Sequence, residues 1–213
     1  VITSRAGSVD VYSAWGNSAI TMDADSAIHA DAEGEQVTMS ADSEVTARTI
    51  TAGGDILLEV RGVEPADPPN PMLNILGTVT SDAGNVYLHA PDMNIQEVVA
   101  ANDGDIYIYS AGRDFILGTN PANAPGVWLD ADEIANLIAT DALIIGRGKR
   151  YVAPDNILTE MGAIADDFEI TSGNIIQNGE ATAGSLNVGL ITTGIITRAN
   201  DGYLNMLPNG SLA

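Results

Sequence analysis

Three stretches of this chain repeat one pattern: Gly54-Asp55-Ile56-Leu57-Leu58-Glu59-Val60, Gly84-Asn85-Val86-Tyr87-Leu88-His89-Ala90 and Gly104-Asp105-Ile106-Tyr107-Ile108-Tyr109-Ser110-Ala111. Each begins with a turn signal and continues with apolar residues at alternate positions, which is the period of a β-strand. The pattern returns about every 20 residues without helical stretches between, as in a chain that winds through stacked parallel strands. The sequence therefore predicts an all-β fold, a parallel β-helix (solenoid).

The spacing of this pattern predicts the number of residues in each coil. The markers, each the first β-branched residue of a strand, are Val9, Val37, Ile56, Val86, Ile106, Val127 and Ile144. The intervals between them are 28, 19, 30, 20, 21 and 17 residues, so we expect roughly 20 residues per coil. Further strand signals precede three of the stretches, at 49–53, 78–83 and 98–103. Each coil is therefore expected to hold at least two strands, joined by corners of Gly, Asn, Asp and Ser.

The regular pattern covers residues 1–153, and residues 154–213 continue it less regularly. The segment 62–71 holds four of the nine prolines, which cannot join a strand ladder, so we predict a Pro-rich loop there. A shorter excursion is predicted at 118–126. Both are interpreted as surface insertions, with a binding loop as the alternative. Residues 154–213 are expected to form irregular β coils or a small β module.

Alternation within the strands predicts which side chains face the core. Ile56, Leu58 and Val60 are expected to point inward and to stack on the aliphatic residues of the next coil. Tyr87 and Tyr107 are expected to point outward and to stack on each other across neighbouring strands. We interpret them as a surface ladder, with a platform for carbohydrate stacking as the alternative.

Composition excludes several functional classes. Eight basic and 29 acidic residues give a formal charge of −21, which repels nucleic acid and anionic lipid, so neither is expected as a partner. The aliphatic runs are far shorter than the about 20 residues that cross a bilayer, so no membrane span is expected. The absence of cysteine excludes disulfides, thiolate metal sites and cysteine catalysis.

Paired carboxylates are the main candidates for catalysis, because many β-helix proteins act on polysaccharides. Such enzymes need two neighbouring carboxyl groups and usually a cation that binds the substrate. Asp130 with Asp132, or Asp166 with Asp167, could supply an acid and a base. Solvated acidic corners explain both pairs more simply, and the chain has few cations. We therefore assign no catalytic residue and predict that the chain is not an enzyme.

The two histidines give no catalytic signal. His29 and His89 lie 60 residues apart, which is about three coils, so both are interpreted as outward-facing surface residues. The sequence holds no Ser-His-Asp order, phosphate-binding loop or dinucleotide fingerprint.

Calcium is the strongest small-ligand candidate. Alternating carboxylates at Asp23 and Asp25, and at Asp31, Glu33 and Glu35, could converge on one hard cation. Neither the EF-hand loop nor the tandem nonapeptides of the calcium β-roll are present. Solvated charge is the favoured interpretation, so no cofactor is predicted and calcium stays the alternative.

One segment resembles a known family: Val127-Trp128-Leu129-Asp130-Ala131-Asp132-Glu133-Ile134-Ala135-Asn136-Leu137, followed by Ala142-Leu143-Ile144-Ile145-Gly146. It is similar to a recurrent unit of the filamentous haemagglutinin-like giant exoproteins, and with the repeated stretches the resemblance covers about residues 7 to 150 as a pattern. The resemblance implies a right-handed parallel β-helix from a bacterial adhesin exported by two-partner secretion. The alternative for 129–137 is a helical turn that caps a strand.

The expected function is mechanical. We predict a non-enzymatic structural or adhesive segment of a large bacterial cell-surface or secreted protein, acting as a stiff extracellular spacer. The alternatives are a subunit of an end-to-end filament or surface layer, and a polysaccharide-degrading enzyme. The expected partners are further coils of the same parent chain or other copies stacked at the ends, and a host or cell-surface glycan or protein target. The family's secretion domain is not seen, which predicts an interior or distal piece, or a separate relative.

Overall fold

The computed structural model describes residues 1–13, 18–61, 72–110, 113–119, 126–152 and 163–213. These residues form one short helix, α1 (Ala131–Ala135), and 24 strands. In chain order the strands are β1 (Ile2–Ser4), β2 (Val9–Tyr12), β3 (Ala19–Thr21), β4 (Ala27–Ala30), β5 (Val37–Ala41), β6 (Glu44–Ala47), β7 (Thr49–Ala52), β8 (Ile56–Val60), β9 (Met72–Ile75), β10 (Val79–Ser81), β11 (Val86–His89), β12 (Asp92–Ile95), β13 (Val99–Ala101), β14 (Ile106–Tyr109), β15 (Phe115–Gly118), β16 (Val127–Leu129), β17 (Leu137–Ala139), β18 (Leu143–Ile145), β19 (Arg147–Val152), β20 (Ala163–Thr171), β21 (Ile175–Thr182), β22 (Asn187–Leu190), β23 (Ile196–Asn205) and β24 (Ser211–Leu212).

Most strands stack in parallel into three sheets. The first sheet has the order β1-β4-β7-β10-β13-β17, the second sheet β2-β5-β8-β11-β14-β18-β22-β24, and the third sheet β12-β9-β6-β3. Strands that follow one another along the chain belong to successive sheets. Thus β1, β2 and β3 lie in the first, second and third sheets, and the next three strands pair with them in the same order: β4 with β1, β5 with β2 and β6 with β3. The protein is therefore all-β with parallel sheets, as predicted, and it is consistent with a parallel β-helix.

The second sheet carries the repeated stretches and the centre of the core. Its inward positions are apolar, and Ile56 pairs in register with Val37 on one side and with Val86 on the other. Ile56, Leu58 and Val60 are fully buried within the main hydrophobic core, which confirms their predicted inward orientation. Complete burial of each such side chain contributes about 1.5–3 kcal/mol to folding, so the stacked aliphatics hold successive strands together.

The corners that precede these strands also stack. The Asp55 carboxylate accepts a hydrogen bond from the Asn85 amide N–H at 2.7 Å, and the Asn85 side-chain oxygen accepts one from the Asp105 amide N–H at 2.9 Å. The glycine before Asn85 lies directly against the corner beneath, because a Cβ at Gly84 would come within 2.5 Å of the Gly54 carbonyl carbon. Glycine and an Asx side chain are therefore both required where one corner rests on the next.

The register shows that two sequence markers were wrong. Partners in the first five strands of the second sheet are 28, 19, 30 and 20 residues apart, and the next two steps are 37 and 45 residues. Val127 is not part of this sheet, because it pairs with Phe115 elsewhere. Ile144 is one residue late, since Leu143 pairs with Ile106. Both markers were chosen as the first β-branched residue, which does not identify the sheet or the face.

The strand signals before the repeated stretches form the first sheet. The predicted segments 49–53, 78–83 and 98–103 contain β7, β10 and β13, which pair in register. The third sheet has weaker sequence signals. Its inward side chains include Val45, Leu73 and Ile75, whereas its outer face is polar, and the Asn94 amide there donates to the Asn74 side-chain oxygen at 3.2 Å.

Later elements depart from the three-sheet arrangement. A fourth sheet has the order β16-β15-β21-β23, and β19 and β20 form an antiparallel pair. The strands β22 and β24 extend the second sheet. The predicted Pro-rich loop at 62–71 lies outside the described residues, and so does most of the predicted excursion at 118–126, from 120 to 125.

The segment that carries the family resemblance contains a helix. Helix α1 follows β16, and its N-cap is Asp130, whose carboxylate accepts the Glu133 amide N–H while the Glu133 carboxylate accepts the Asp130 amide N–H. This reciprocal capping box satisfies two backbone donors at the helix start. Part of the segment 129–137 therefore forms a helical turn, between β16 and β17.

Candidate functional site: a buried polar row beneath a hairpin

The outer face of the second sheet holds a row of polar and aromatic side chains. Strand register places Tyr12, Ser40, Glu59, His89 and Tyr109 side by side on β2, β5, β8, β11 and β14. These positions alternate with the inward aliphatics, so their side chains leave the sheet on the opposite face. We call these five residues the polar row.

The centre of the polar row is buried and hydrogen-bonded. Glu59 and Ser40 are fully buried, and the Ser40 hydroxyl donates to Glu59 Oε2 at 2.7 Å. His89 Nδ1 lies 3.2 Å from Glu59 Oε1, and the His89 ring stacks on Tyr109 with centroids 4.5 Å apart and an interplanar angle of 8°. A buried carboxylate is costly without partners, and here each of its oxygens has one.

The hairpin strand β19 covers this row. It contacts β14, β11 and β8, the strands that contribute Tyr109, His89 and Glu59. Gly148 of β19 lies against the Tyr109 ring so closely that an added Cβ would overlap the ring atoms. Burial of Tyr109 and of its neighbours in the row therefore depends on the glycine that lets the hairpin backbone approach the aromatic face.

A second outward row lies beside the first. Leu57 and Tyr87 are buried, and Tyr87 stacks on Tyr107 with centroids 5.0 Å apart and an interplanar angle of 15°. The predicted stacking of Tyr87 and Tyr107 is confirmed. Tyr87 is only 1% exposed, however, so it does not form part of an exposed carbohydrate platform. The interpretation of His89 as a surface residue is also wrong, because the residue is only 6% exposed.

The chemistry of the polar row is that of a structural network. In a nucleophilic triad the histidine lies between the hydroxyl and the carboxylate and removes the hydroxyl proton. Here Glu59 lies between Ser40 and His89, so the Ser40 proton is directed to the carboxylate. The three side chains are also buried. The arrangement orients the groups that join β5, β8 and β11, and it does not activate Ser40 as a nucleophile.

The structure brings the predicted pair Asp130 and Asp132 to the start of helix α1. Asp130 is engaged as the N-cap, whereas Asp132 is exposed in the first turn. The residue that sequence reasoning missed is Glu133, which is 9% exposed and accepts backbone N–H groups from Ile95 and Asp130, both at 2.9 Å. Its signal was the Asp-x-x-Glu spacing of a capping box.

Burial raises the pKa of Glu133 to about 7, although the hydrogen bonds from Ile95 and Asp130 oppose the shift. The negative charges of Asp130 and Asp92 contribute to the increase. Burial also raises the pKa of Asp92, against the effects of the Met93 amide and the Arg113 guanidinium. These two carboxyl groups are therefore easier to protonate than ordinary acidic side chains.

The calcium candidates do not converge. Asp23, Asp25 and Glu33 lie in or beside turns, and all three are exposed. The Glu35 carboxylate is directed at the backbone, where it accepts the N–H groups of Gly7 and Ala32. Across the described ranges, no group of three or more His, Cys, Asp or Glu residues could hold a metal ion.

The remaining candidates are separate from the polar row. His29 lies on the outer face of the first sheet, where its Nδ1 is 2.7 Å from the Thr51 hydroxyl, and it is half-buried. Asp166 and Asp167 lie in β20, and their side chains are outside what the structure describes.

No protein-family model, curated protein or solved structure matches this chain. In the part of the chain that the structure describes, no helix has the length and hydropathy needed to cross a membrane.

Proposed function

We propose that the chain is a non-enzymatic structural segment: a right-handed parallel β-helix, with short coils of roughly 20 residues, that acts as a stiff spacer. In this proposal it belongs to a large bacterial cell-surface or secreted protein of the filamentous haemagglutinin-like kind and contributes to adhesion. The observation that carries the proposal is the continuous register of the parallel sheets, with apolar residues at most inward positions.

The ladders explain how such a segment would resist bending and unfolding. The coils from β1 to β12 are hydrogen-bonded to their neighbours through the first, second and third sheets. Shearing one coil from the next would break several backbone hydrogen bonds together and expose fully buried residues such as Val37, Ile56 and Val86. The formal charge of −21 keeps neighbouring rods apart in solution.

The carboxylates with described contacts support a structural role. Glu59 is bonded within the buried polar row, Asp130 caps a helix and Glu35 accepts backbone N–H groups. Each satisfies groups of the fold itself. We therefore propose that the acidic residues maintain corners, caps and solubility, and that the exposed corners meet a glycan or protein target.

A filament or surface-layer subunit is the second candidate. The strands β1, β2 and β3 each form the edge of a sheet. Ile2 of β1 and the preceding Val1 are apolar and are 51% and 84% exposed. At the other end of the second sheet, Leu212 of β24 is 54% exposed. Edge strands of this kind accept further strands, which here would be coils of the same parent chain or of another copy.

The experiment that tests the spacer proposal uses the native source. Antibodies against this chain should label intact cells or the culture medium, and they should detect a polypeptide far larger than 22.1 kDa. A cytoplasmic polypeptide of 22.1 kDa would contradict the proposal. Electron microscopy of the purified chain then separates the candidates, because end-to-end fibres indicate the filament subunit and single short rods indicate the spacer.

Enzyme activity has its own test. The chain is incubated with acidic polysaccharides, beside the double variant with Asp130→Asn and Asp132→Asn. We expect no turnover by either protein. Turnover that disappears in the double variant would replace the structural proposal with an enzyme, and turnover that persists would move the active site elsewhere on the chain.

A further inference from the structure

Helix α1 completes the edge of the third sheet in the place of a strand. The strand β12 is an edge of that sheet, and the backbone N–H of Ile95 would be unpaired there. It donates instead to Glu133 Oε1 at 2.9 Å, and the Ile95 carbonyl accepts from the Asn136 side-chain amide at 3.3 Å. Two side chains thus offer the edge the acceptor and the donor that a neighbouring strand would offer.

The first sheet has a similar cap that carries no charge. Its edge strand is β17, whose Ala139 N–H donates to the Ser185 hydroxyl oxygen at 2.9 Å. The same hydroxyl donates to the Leu137 carbonyl at 2.7 Å, and Ser185 is 1% exposed. Each of the two caps accepts a backbone N–H from the edge strand of a sheet. The Ser185 hydroxyl does not titrate in the accessible pH range, whereas the Glu133 carboxyl does.

The groups around Glu133 do not compensate its charge. Asp130 lies on its own helix start, and β12 contributes Asp92. The strands β15, β16 and β17 contribute no titratable side chain, and Glu180 of β21 is exposed and accepts a hydrogen bond from Asn205. Arg113 acts on Asp92, and among the described residues no cation forms an ion pair with Glu133.

From this geometry we propose that helix α1 is a pH-responsive cap, which closes the edge of the third sheet while the Glu133 carboxyl is neutral and loosens when that carboxyl ionises. The neutral group still accepts hydrogen bonds from both backbone donors and its proton removes the repulsion from Asp130 and Asp92. The ionised group is a buried anion beside two acidic residues, a state that opening of the helix into water relieves. This inference stands apart from the spacer proposal.

The direction and size of the effect follow from the two states. In the opened state the carboxyl has its ordinary pKa of 4.5, and in the closed state burial raises that pKa to about 7. The opened state therefore binds fewer protons between these values, and opening becomes more favourable as the pH rises. Linkage predicts that the opening equilibrium increases about tenfold between about pH 6 and about pH 8.

Amide hydrogen exchange of the 213-residue chain measures this opening directly. The Ile95 amide reports the Glu133 cap, and the Ala139 amide reports the uncharged Ser185 cap as an internal control. After correction for the intrinsic pH dependence of exchange, protection at Ile95 should fall about tenfold between about pH 6 and about pH 8. Protection at Ala139 should change much less.

Two variants separate titration of Glu133 from general loosening. Glu133→Gln keeps a carbonyl acceptor for Ile95 and should abolish the additional pH dependence, even where it lowers protection at every pH. Asp132→Asn removes one charge from the exposed face of the same helix and should leave the pH dependence intact. Equal pH dependence at Ile95 and Ala139 in the unaltered chain, or its persistence in Glu133→Gln, would overturn the proposal.

A titration of the side chain itself provides a second measurement. The carboxyl ¹³C resonance of Glu133, assigned by its absence in Glu133→Gln, should titrate with a midpoint well above 4.5. A midpoint at the ordinary value would overturn the proposal, because the closed state would then hold the ionised group without penalty.

Discussion

Replacement of Gly84 by alanine tests whether the corners stack as rigidly as the structure indicates. The added Cβ would lie 2.5 Å from the Gly54 carbonyl carbon and 2.6 Å from the Asp55 backbone nitrogen. Both contacts are to backbone atoms, so one corner must move away from the other. That movement would also lengthen the 2.7 Å hydrogen bond from the Asn85 amide N–H to the Asp55 carboxylate.

The expected loss of stability combines three contributions. Overpacking against backbone costs about 1–3 kcal/mol. Weakening of the Asn85 hydrogen bond adds about 1 kcal/mol. Alanine also restricts the unfolded chain, which offsets about 0.5 kcal/mol. We therefore expect Gly84→Ala to lower the free energy of unfolding by about 1.5–3.5 kcal/mol.

Urea unfolding followed by circular dichroism measures this loss, with two matched glycine controls. At Gly189 an added Cβ would meet only Ile144 Cγ1, at 3.8 Å, so Gly189→Ala should change stability by less than about 0.5 kcal/mol. Gly34 has a φ of +79° and open space around it, so Gly34→Ala should cost about 1 kcal/mol through backbone strain alone. If Gly84→Ala is no more destabilising than Gly189→Ala, the corners do not rest on each other as described.

Three further outcomes follow from the buried polar groups. Glu59→Ala should lower the free energy of unfolding in urea by about 3 kcal/mol, because it leaves His89 buried without its carboxylate partner. Glu59→Gln should lower it clearly less. Equal losses in the two variants would contradict the pairing of Glu59 with His89. Ser185→Ala should lower the free energy of unfolding by about 1–2 kcal/mol, because it removes the hydroxyl that caps β17. Replacement of the exposed Ser211 by alanine should leave stability nearly unchanged. Equal effects of the two replacements would refute the cap. The pKa of Glu133 is raised from 4.5 to about 7 in the folded protein. The neutral Glu133 carboxyl therefore contributes its full stabilisation below about pH 4.5, and the free energy of unfolding falls by about 3 kcal/mol as the pH rises through about 7. Urea midpoints should show this decline, and a Glu133→Gln profile with the same slope would contradict it.

The local sequence pattern was sufficient to predict the strands of the second sheet and the faces of their side chains. Alternation at Ile56, Leu58 and Val60 predicted the face that packs into the main core, because neighbouring side chains on a strand necessarily leave it on opposite sides. The same alternation predicted that Tyr87 and Tyr107 stack, since like positions of adjacent coils come into register. These properties depend only on residues within one strand and its immediate neighbour.

Other features lacked a sufficient local signal. Val127 has the same β-branched character as the true markers, yet it pairs with Phe115 in the fourth sheet. The third sheet includes strands of three or four residues that contain Ala, Asn and Asp, which are depleted in β-strands. The spacing of Asp130 and Glu133 indicated a capped helix start, but it did not indicate that Glu133 also reaches Ile95, 38 residues earlier.

Repetition along the chain was enough to predict an all-β protein with stacked parallel strands, inward aliphatics and Gly-Asx corners, because each of these is a property of a strand and the turn before it. Exposure of the outer face depends instead on contacts between distant residues. His89 and Tyr87 occupy outward positions as predicted, but β19 folds back over the second sheet and buries them, with Gly148 placed against the Tyr109 ring. The alternation of a strand specifies the side from which a residue leaves the sheet, and the packing of remote segments specifies whether water reaches it there.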